Sequence, residues 1–225
     1  DYTIQVTVPV GATSGGITLT DGSTGCAGVS PLFNLKQVCG SNVQLTLFLQ
    51  GYYASGGMIP SLFNSGLSAN PDDCDSVTVC LMDPVTYSEV ECAQGILQSD
   101  GSLSLSFAAS GSYFLKVMHR NTLQTWSAAP VSIAGSVSYD FSADNNLSYG
   151  PNMTEVEPGI WALWSGDINQ DELIEASDYA LVENDVAAFQ FGYVVTDLNG
   201  DGLVEATDYS RIENNMPMFL FAAHP

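Results

Sequence analysis

The sequence predicts a mainly β chain, an antiparallel β-sandwich followed by a small pair of loop-and-helix units. Three observations predict it. Short alternating runs separated by turn residues fill the stretch from Val43 to Phe141, with almost no helical periodicity. An acidic segment near the end then repeats itself with a period of 30 residues. A chain of 225 residues that is 45% hydrophobic can also build a real core in one large domain, or in one medium and one small. The expected division is a strand and linker over residues 1–16, the sandwich over 17–160 and the repeat region over 161–225.

Taken in order, "DYTIQVTVPV" sets Tyr2, Ile4, Val6, Val8 and Val10 on one face of a strand. Pro9 interrupts hydrogen bonding near its exit, and Gly11–Gly16 reads as a flexible linker. Burying five such side chains yields about 7–15 kcal/mol. Ordering the segment costs roughly 1–2 kcal/mol per residue, so apolar contact alone breaks even. The strand therefore needs a backbone ladder, made either in cis or by addition to the sheet of another copy.

Further on, "VQLTLFLQGYY" is a strand flanked by Gly, and "DSVTVCLMDPVTYSEVEC" reads as strand, Asp-Pro turn, strand. "GILQSDGSLSLSF" places Asp100-Gly101 between two alternating runs, a hairpin signature. "GSYFLKVMHRNTLQTWSAAPVSI" and "SVSYDFS" add at least three more strands. Six to eight strands at this spacing indicate an antiparallel sandwich of immunoglobulin-like type. In "EVEPGIWALWSGD" both faces are apolar, with Trp161 and Leu163 opposite Ile160, Ala162 and Trp164, so this stretch should lie between two subdomains. A sugar-stacking platform of Trp126, Trp161 and Trp164 is the sharper alternative.

Charge narrows the partners. Four bases oppose 25 acids, for a formal net charge of −21, which excludes a phosphate-binding patch and disfavours anionic lipid. The smallest fitting partner is a metal ion. No apolar run is long enough to span a bilayer, and a start at Asp1 suggests a processed, secreted form. The five cysteines all precede residue 93, with no C-x-x-C pair. Cys26 and Cys39 bracket one short segment, and Cys80 and Cys92 flank a hairpin. Two disulfides in an oxidising compartment are expected, with Cys74 left over.

The repeat carries the chemistry. Asp167–Asp185 reads "DINQDELIEASDYALVEND" and Asp197–Asn215 reads "DLNGDGLVEATDYSRIENN", identical at ten of 19 positions. Each copy puts side-chain oxygens at loop positions one, three, five and twelve: Asp167, Asn169, Asp171 and Asp178, then Asp197, Asn199, Asp201 and Asp208. A hard cation needs six to eight oxygens, and alternate ligands on a tight loop supply them. The backbone carbonyls of Leu173 and Leu203 fill position seven, and Glu175 and Glu205 stand at position nine. The expected cofactor is calcium, two ions. Zinc does not suit a donor set without Cys or clustered His. Ile174 and Val204 should pack the two loops together, and Leu181, Val182 and Ile212 should anchor the short helices that follow.

This pair resembles the duplicated calcium loops of type I dockerins, modules that plug secreted bacterial enzymes into cohesin scaffolds. The match covers roughly residues 166–216. Two departures from it stand out. Glu172 stands where such a loop usually has Gly, and Ala176-Ser177 and Ala206-Thr207 precede the closing Asp on helices lacking the usual basic residues. More diffusely, "LFLQGYY", "MHRNTLQTWSAAPVS", "SVSYDFS" and "GIWALWSGDINQDE" resemble the C-terminal region of large secreted proteins of Bacteroidota-type bacteria, where a sandwich runs directly into such a pair. That resemblance implies an architecture and an extracellular or cell-surface location.

The catalytic inventory is thin. His119 beside Arg120 reads as a strand-end polar pair, His224 lies at the end of the sequence, and no G-x-S-x-G, H-E-x-x-H or phosphate loop is present. The expected function is non-enzymatic. The leading reading is a subunit of an extracellular filament or surface assembly, joined to copies of itself by the N-terminal strand and stabilised by calcium. The alternatives are a docking or sorting tail of a larger secreted protein, bound by a cell-surface or scaffold partner, and a carbohydrate-binding module. Glycan acceptor patterns occur at Asn146, Asn152 and Asp75-Ser76-Val77.

Overall fold

Alternation decides most of the strands. In β6 every second residue is buried, with Leu103, Leu105 and Phe107 inward and serines outward, as a half-buried strand of period two requires. The structure is a computed structural model that describes residues 40–225 and, as backbone, two short strands before them. These are β1 (Thr18–Thr20) and β2 (Ala27–Val29), an antiparallel pair within the unit Asp1–Cys39. The candidate strand from Tyr2 to Val10, and Cys26 and Cys39, lie outside the described residues.

The second unit, Gly40–Pro225, holds everything else. Its strands are β3 (Ser41–Thr46), β4 (Asp73–Met82), β5 (Glu89–Gln98), β6 (Ser102–Phe107), β7 (Gly111–His119), β8 (Thr122–Trp126), β9 (Val131–Ile133) and β10 (Ser136–Asp140). One sheet runs β5-β4-β7-β8, with β9 continuing the β8 edge of β7. The other runs β10-β3-β6. A hairpin of β11 (Thr154–Glu157) and β12 (Ile160–Ala162) follows, and three helices complete the unit: α1 (Ser61–Asn64), α2 (Ala176–Ala187) and α3 (Ala206–Asn215). The core between the sheets takes Val43 and Leu45 from β3, Val77, Val79 and Leu81 from β4, and Leu115 and Val117 from β7, all buried.

The fold class is therefore a mainly β sandwich with a loop-and-helix pair at its end. Two details differ from expectation. β10 pairs with β3 in parallel, in register from Ser136↔Asn42 to Asp140↔Thr46. Asp100-Gly101 does make a tight turn, with Gly101 at φ 86° and its N–H donating to the Gln98 carbonyl at 2.9 Å. The strands it joins do not pair with each other, because β4 takes the ladder of β5 and β3 takes that of β6. The turn thus carries the chain from one sheet to the other. The Asp83-Pro84 turn is a true hairpin, its Asp83 carboxylate accepting from the backbone of Val85 and Thr86 at 2.9 and 2.8 Å. It sets Cys80 opposite Cys92, and these form a disulfide, while Cys74 is a buried free thiol. Burial, the largest influence, pushes the Cys74 thiol well above its usual range.

The sandwich and the repeat region share one unit, with no break near residue 160. The joint is the segment after β12. Leu163 donates to the Phe48 carbonyl at 2.8 Å and accepts from Gln50 at 3.0 Å; its side chain enters the sandwich core. Trp164 faces the other way, into a cluster with Leu123, Ile174 and Ala222. Trp126 and Trp164 are buried and Trp161 packs against the core, so the three do not form an exposed stacking platform. Among the described residues no helix is long and apolar enough to cross a membrane.

Candidate metal centre

Each acidic loop is closed by the same three hydrogen bonds. Asp178, in the first turn of α2, accepts from the backbone N–H of Ile168 (2.8 Å), Asn169 (3.1 Å) and Glu175 (3.0 Å). Asp208, in the first turn of α3, accepts from Leu198 (2.7 Å), Asn199 (3.2 Å) and Glu205 (2.9 Å). A carboxylate in the first turn also suits the helix dipole. The entrance of each loop is thereby tied to its exit by the side chain at position twelve.

Inside each loop the middle ligands are equally repeated. Asn169 Oδ1 accepts from the Asp171 N–H and Asn199 Oδ1 from the Asp201 N–H, each at 2.9 Å. The Asp171 carboxylate caps the N–H of Leu173 at 3.1 Å, and that of Asp201 caps Leu203 at 2.9 Å. Position one differs. Asp197 accepts from Gly200 (2.8 Å) and Gly202 (3.0 Å), two glycines at φ 76° and 85°. In the first loop Gln170 and Glu172 occupy those places at φ 59° and 73°, which non-glycine residues adopt at a cost.

Electrostatics identifies what the loops lack. Asp167, Asp178, Asp197 and Asp208 are all buried, and among the described residues none makes an ion pair. Burial, then the charges of Asp178 and Asp171, pushes the Asp167 carboxyl up to about 7. Burial raises Asp197 to about 6, against hydrogen bonds from the glycine N–H groups, and raises Asp208 as well. Buried carboxylates without a counter-charge are expensive. A hard divalent cation supplies that charge, and an all-oxygen donor set of Asp, Asn and backbone carbonyl is the set that calcium takes. The residues present fit it. No three carboxylates of either loop all lie within 4.8 Å of one another; the one such group of His, Cys, Asp or Glu among the described residues is Cys80, Glu89 and Cys92, whose sulfurs form a disulfide. Glu175 and Glu205 are exposed, their side chains beside Ser177 and Thr207.

Ile174 and Val204 do not pack the loops together. Ile174 joins Trp164 and Leu123, whereas Val204 joins Ile168, Val182, Leu198 and Ile212. The cause is backbone pairing: the first loop pairs with the C-terminal segment (Ile174 N–H to the Leu220 carbonyl, 3.1 Å) and the second with the chain after α2 (Val204 N–H to Gln190, 3.3 Å). Val182 and Ile212 anchor the helices from full burial, while Leu181 is exposed.

A set of residues that the sequence does not advertise fastens the second loop to the sandwich. Asp75, fully buried on β4, accepts from the Tyr52 hydroxyl (2.8 Å), Arg120 Nε (3.0 Å) and the Tyr193 hydroxyl, with His119 Nε2 at 3.1 Å. Burial alone would raise its carboxyl, but His119, then Arg120 and Tyr193, hold it well below the usual range. Arg120 also donates to the Val194 carbonyl, and Asn121 Nδ2 donates to Val195 (3.2 Å) and Asp197 (3.1 Å). On the other side Asn215 Nδ2 reaches Gln50 Oε1 and the Ser165 carbonyl, each at 2.7 Å. His119 and Arg120 are thus interior ties at the end of β7. Asp75 is committed inward, and Asn152 Nδ2 donates to the Phe221 carbonyl at 3.1 Å.

Comparison with known proteins agrees with the site. Residues 165–217 match the family model of the dockerin type I domain. No curated protein matches the chain. Two crystal structures of a type II cohesin–X-dockerin complex from Acetivibrio cellulolyticus contain a similar chain. The N-terminal interface mutant is 17% identical and the C-terminal one 18%, each covering 79% of this chain and 96% of that chain at a TM-score of 0.48. That likeness is too distant to carry a conclusion. The family match and the twin acidic loops rest on this chain's own residues: the repeat at 165–217 matches the dockerin type I domain and lies in one unit with the β-sandwich.

Proposed function

We propose that this chain is a non-enzymatic, calcium-stabilised docking region of a larger secreted protein, with a scaffold protein of the cohesin kind as its partner. The carrying observation is the pair of closed loops with four buried, uncompensated carboxylates in a segment matched to dockerins. Asp167, Asn169, Asp171, Asp178 and the Leu173 carbonyl would hold one calcium ion. Asp197, Asn199, Asp201, Asp208 and the Leu203 carbonyl would hold a second. Bound metal supplies positive charge where the loops have none, and the chain's own part is to keep both loops closed at the helix starts. The buried His119 and the partly buried Arg120 serve the Asp75 tie, which supports a structural rather than catalytic role.

The filament reading rests on residues 1–10 alone. The core of the described sandwich takes Val43, Leu105, Leu115 and Ile133 from its own strands. The test of docking is retention of a stoichiometric secreted partner on the immobilised chain. Retention in calcium, and release by chelator or by Asp167→Asn with Asp197→Asn, is the expected result. No partner retained in calcium overturns the reading.

A further inference from the structure

The thirty-residue repeat does not end with the helices. After α2 the chain reads Phe189-Gln190-Phe191, and after α3 it reads Phe219-Leu220-Phe221. Phe189 and Phe219 both stand at φ 54° and are 86% and 87% exposed. Phe191 bridges to Leu203 in the second loop, and Phe221 bridges to Leu173 in the first. Two grooves result. One, of about 540 Å³, is lined by Leu173, Met216, Phe219 and Phe221, with Glu175. The other, of about 410 Å³, is lined by Leu203, Val186, Phe189 and Phe191, with Glu205. Each of these five residues of one groove lies thirty positions from its counterpart in the other.

This arrangement is costly. A left-handed backbone is unfavourable at a residue with a side chain. An exposed Phe forgoes the free energy of burying its ring. Its appearance twice, in register, marks a surface that is covered in use. Charge selects what covers it. Glu175 and Glu205 line the grooves, and no Lys or Arg does so among the described residues. A second copy would bring 25 acids against four bases to a surface of the same sign, and "DYTIQVTVPV" brings an acid and no base.

We propose that the twin grooves are the contact surface of the docking region, and that the partner offers an amphipathic segment of aliphatic side chains flanked by Lys or Arg. Apolar anchors seat in the grooves, and the cations meet the acidic surround. This deepens the docking reading and rests on it.

The test titrates the full, calcium-loaded chain with a synthetic amphipathic Leu/Lys peptide, a scrambled peptide of the same composition and a Leu/Glu peptide of the same pattern. The expected result is two Leu/Lys peptides per chain, weakened by salt, with the other two peptides about tenfold weaker or worse. Phe189→Ser with Phe191→Ser should remove one site, and Phe219→Ser with Phe221→Ser the other. Leu203→Lys and Leu173→Lys at exposed positions should do the same in folded protein, as circular dichroism checks. Equal binding of the scrambled or acidic peptide, two sites surviving the Phe changes, or self-association abolished by those changes would overturn the proposal. The docking assay separates the two readings. If the fourfold Phe variant still retains the wild-type partner, the grooves fall and docking stands; if the wild-type chain retains none, docking itself falls.

Discussion

Glu172 and Gly202 occupy the same place in the two loops, at φ 73° and 85°. Only glycine takes that backbone freely, so Glu172→Gly should stabilise the chain by about 1 kcal/mol. The change also removes the contact of His224 with Glu172 at 3.4 Å, a half-exposed pair worth little. A melting midpoint that fails to rise in thermal denaturation would contradict the strain assigned to Glu172. Asp75 is the opposite case, a buried carboxylate on which Arg120 and two tyrosines converge. Asp75→Asn leaves the partly buried Arg120 guanidinium without its counter-charge, an expected loss of about 3 kcal/mol measurable by urea denaturation. A loss below 1 kcal/mol, on the order of an exposed pair, would show that the network is not held together by charge. Glu172 could be singled out from the sequence, because its partner in the repeat is Gly. Asp75 could not: nothing in a one-dimensional pattern brings it to Arg120, and its local motif suggested a glycan instead.

At the level of elements, the two loops titrate. Asp167 and Asp197 are raised from an ordinary 3.8 to about 7 and about 6, so the metal-free native state holds protons that the unfolded chain releases. Native stability from these groups is therefore largest at acid pH and falls as pH rises from about 4 to 7. Asp75, whose carboxyl is depressed, works the other way, its contribution fading only below about 4. In chelator, the midpoint of the wild-type chain should exceed that of Asp167→Asn with Asp197→Asn by more at pH 5 than at pH 7.5. A difference that grows with pH would contradict the burial-driven shifts. The repeat and its ligands were legible because ligand spacing is local. The Asp100-Gly101 turn misled because a turn signal fixes local geometry and leaves open which ladder each strand joins. The F-x-F segments lay in plain view, thirty residues apart, just beyond the stretch whose oxygen ligands drew the alignment.

Across the whole molecule, the calcium loops and the sandwich behave as one unit. Arg120 and Asn121 hold the second loop, Asn215 and Gln50 hold α3, and a side chain on Gly51 would come within 1.8 Å of the Leu198 carbonyl. Residues 40–225 should therefore unfold together, with calcium moving the whole transition by about 2.7 kcal/mol per site at a hundredfold excess over its dissociation constant. A low-temperature transition confined to the repeat, with the sandwich unaffected by chelator, would contradict this coupling. The sequence sets the repeat region apart from residue 161 onward, where the sandwich strands give way to the repeat. Long-range polar ties such as Gln50–Asn215 leave no trace in composition.

The central claim is that buried acids in two repeated loops require a divalent cation. Isothermal titration of the metal-free chain with calcium tests it most directly. The account predicts two ions bound per chain, reduced to one by Asp167→Asn or by Asp197→Asn. Absence of uptake at millimolar calcium, or binding indifferent to both substitutions, would contradict it.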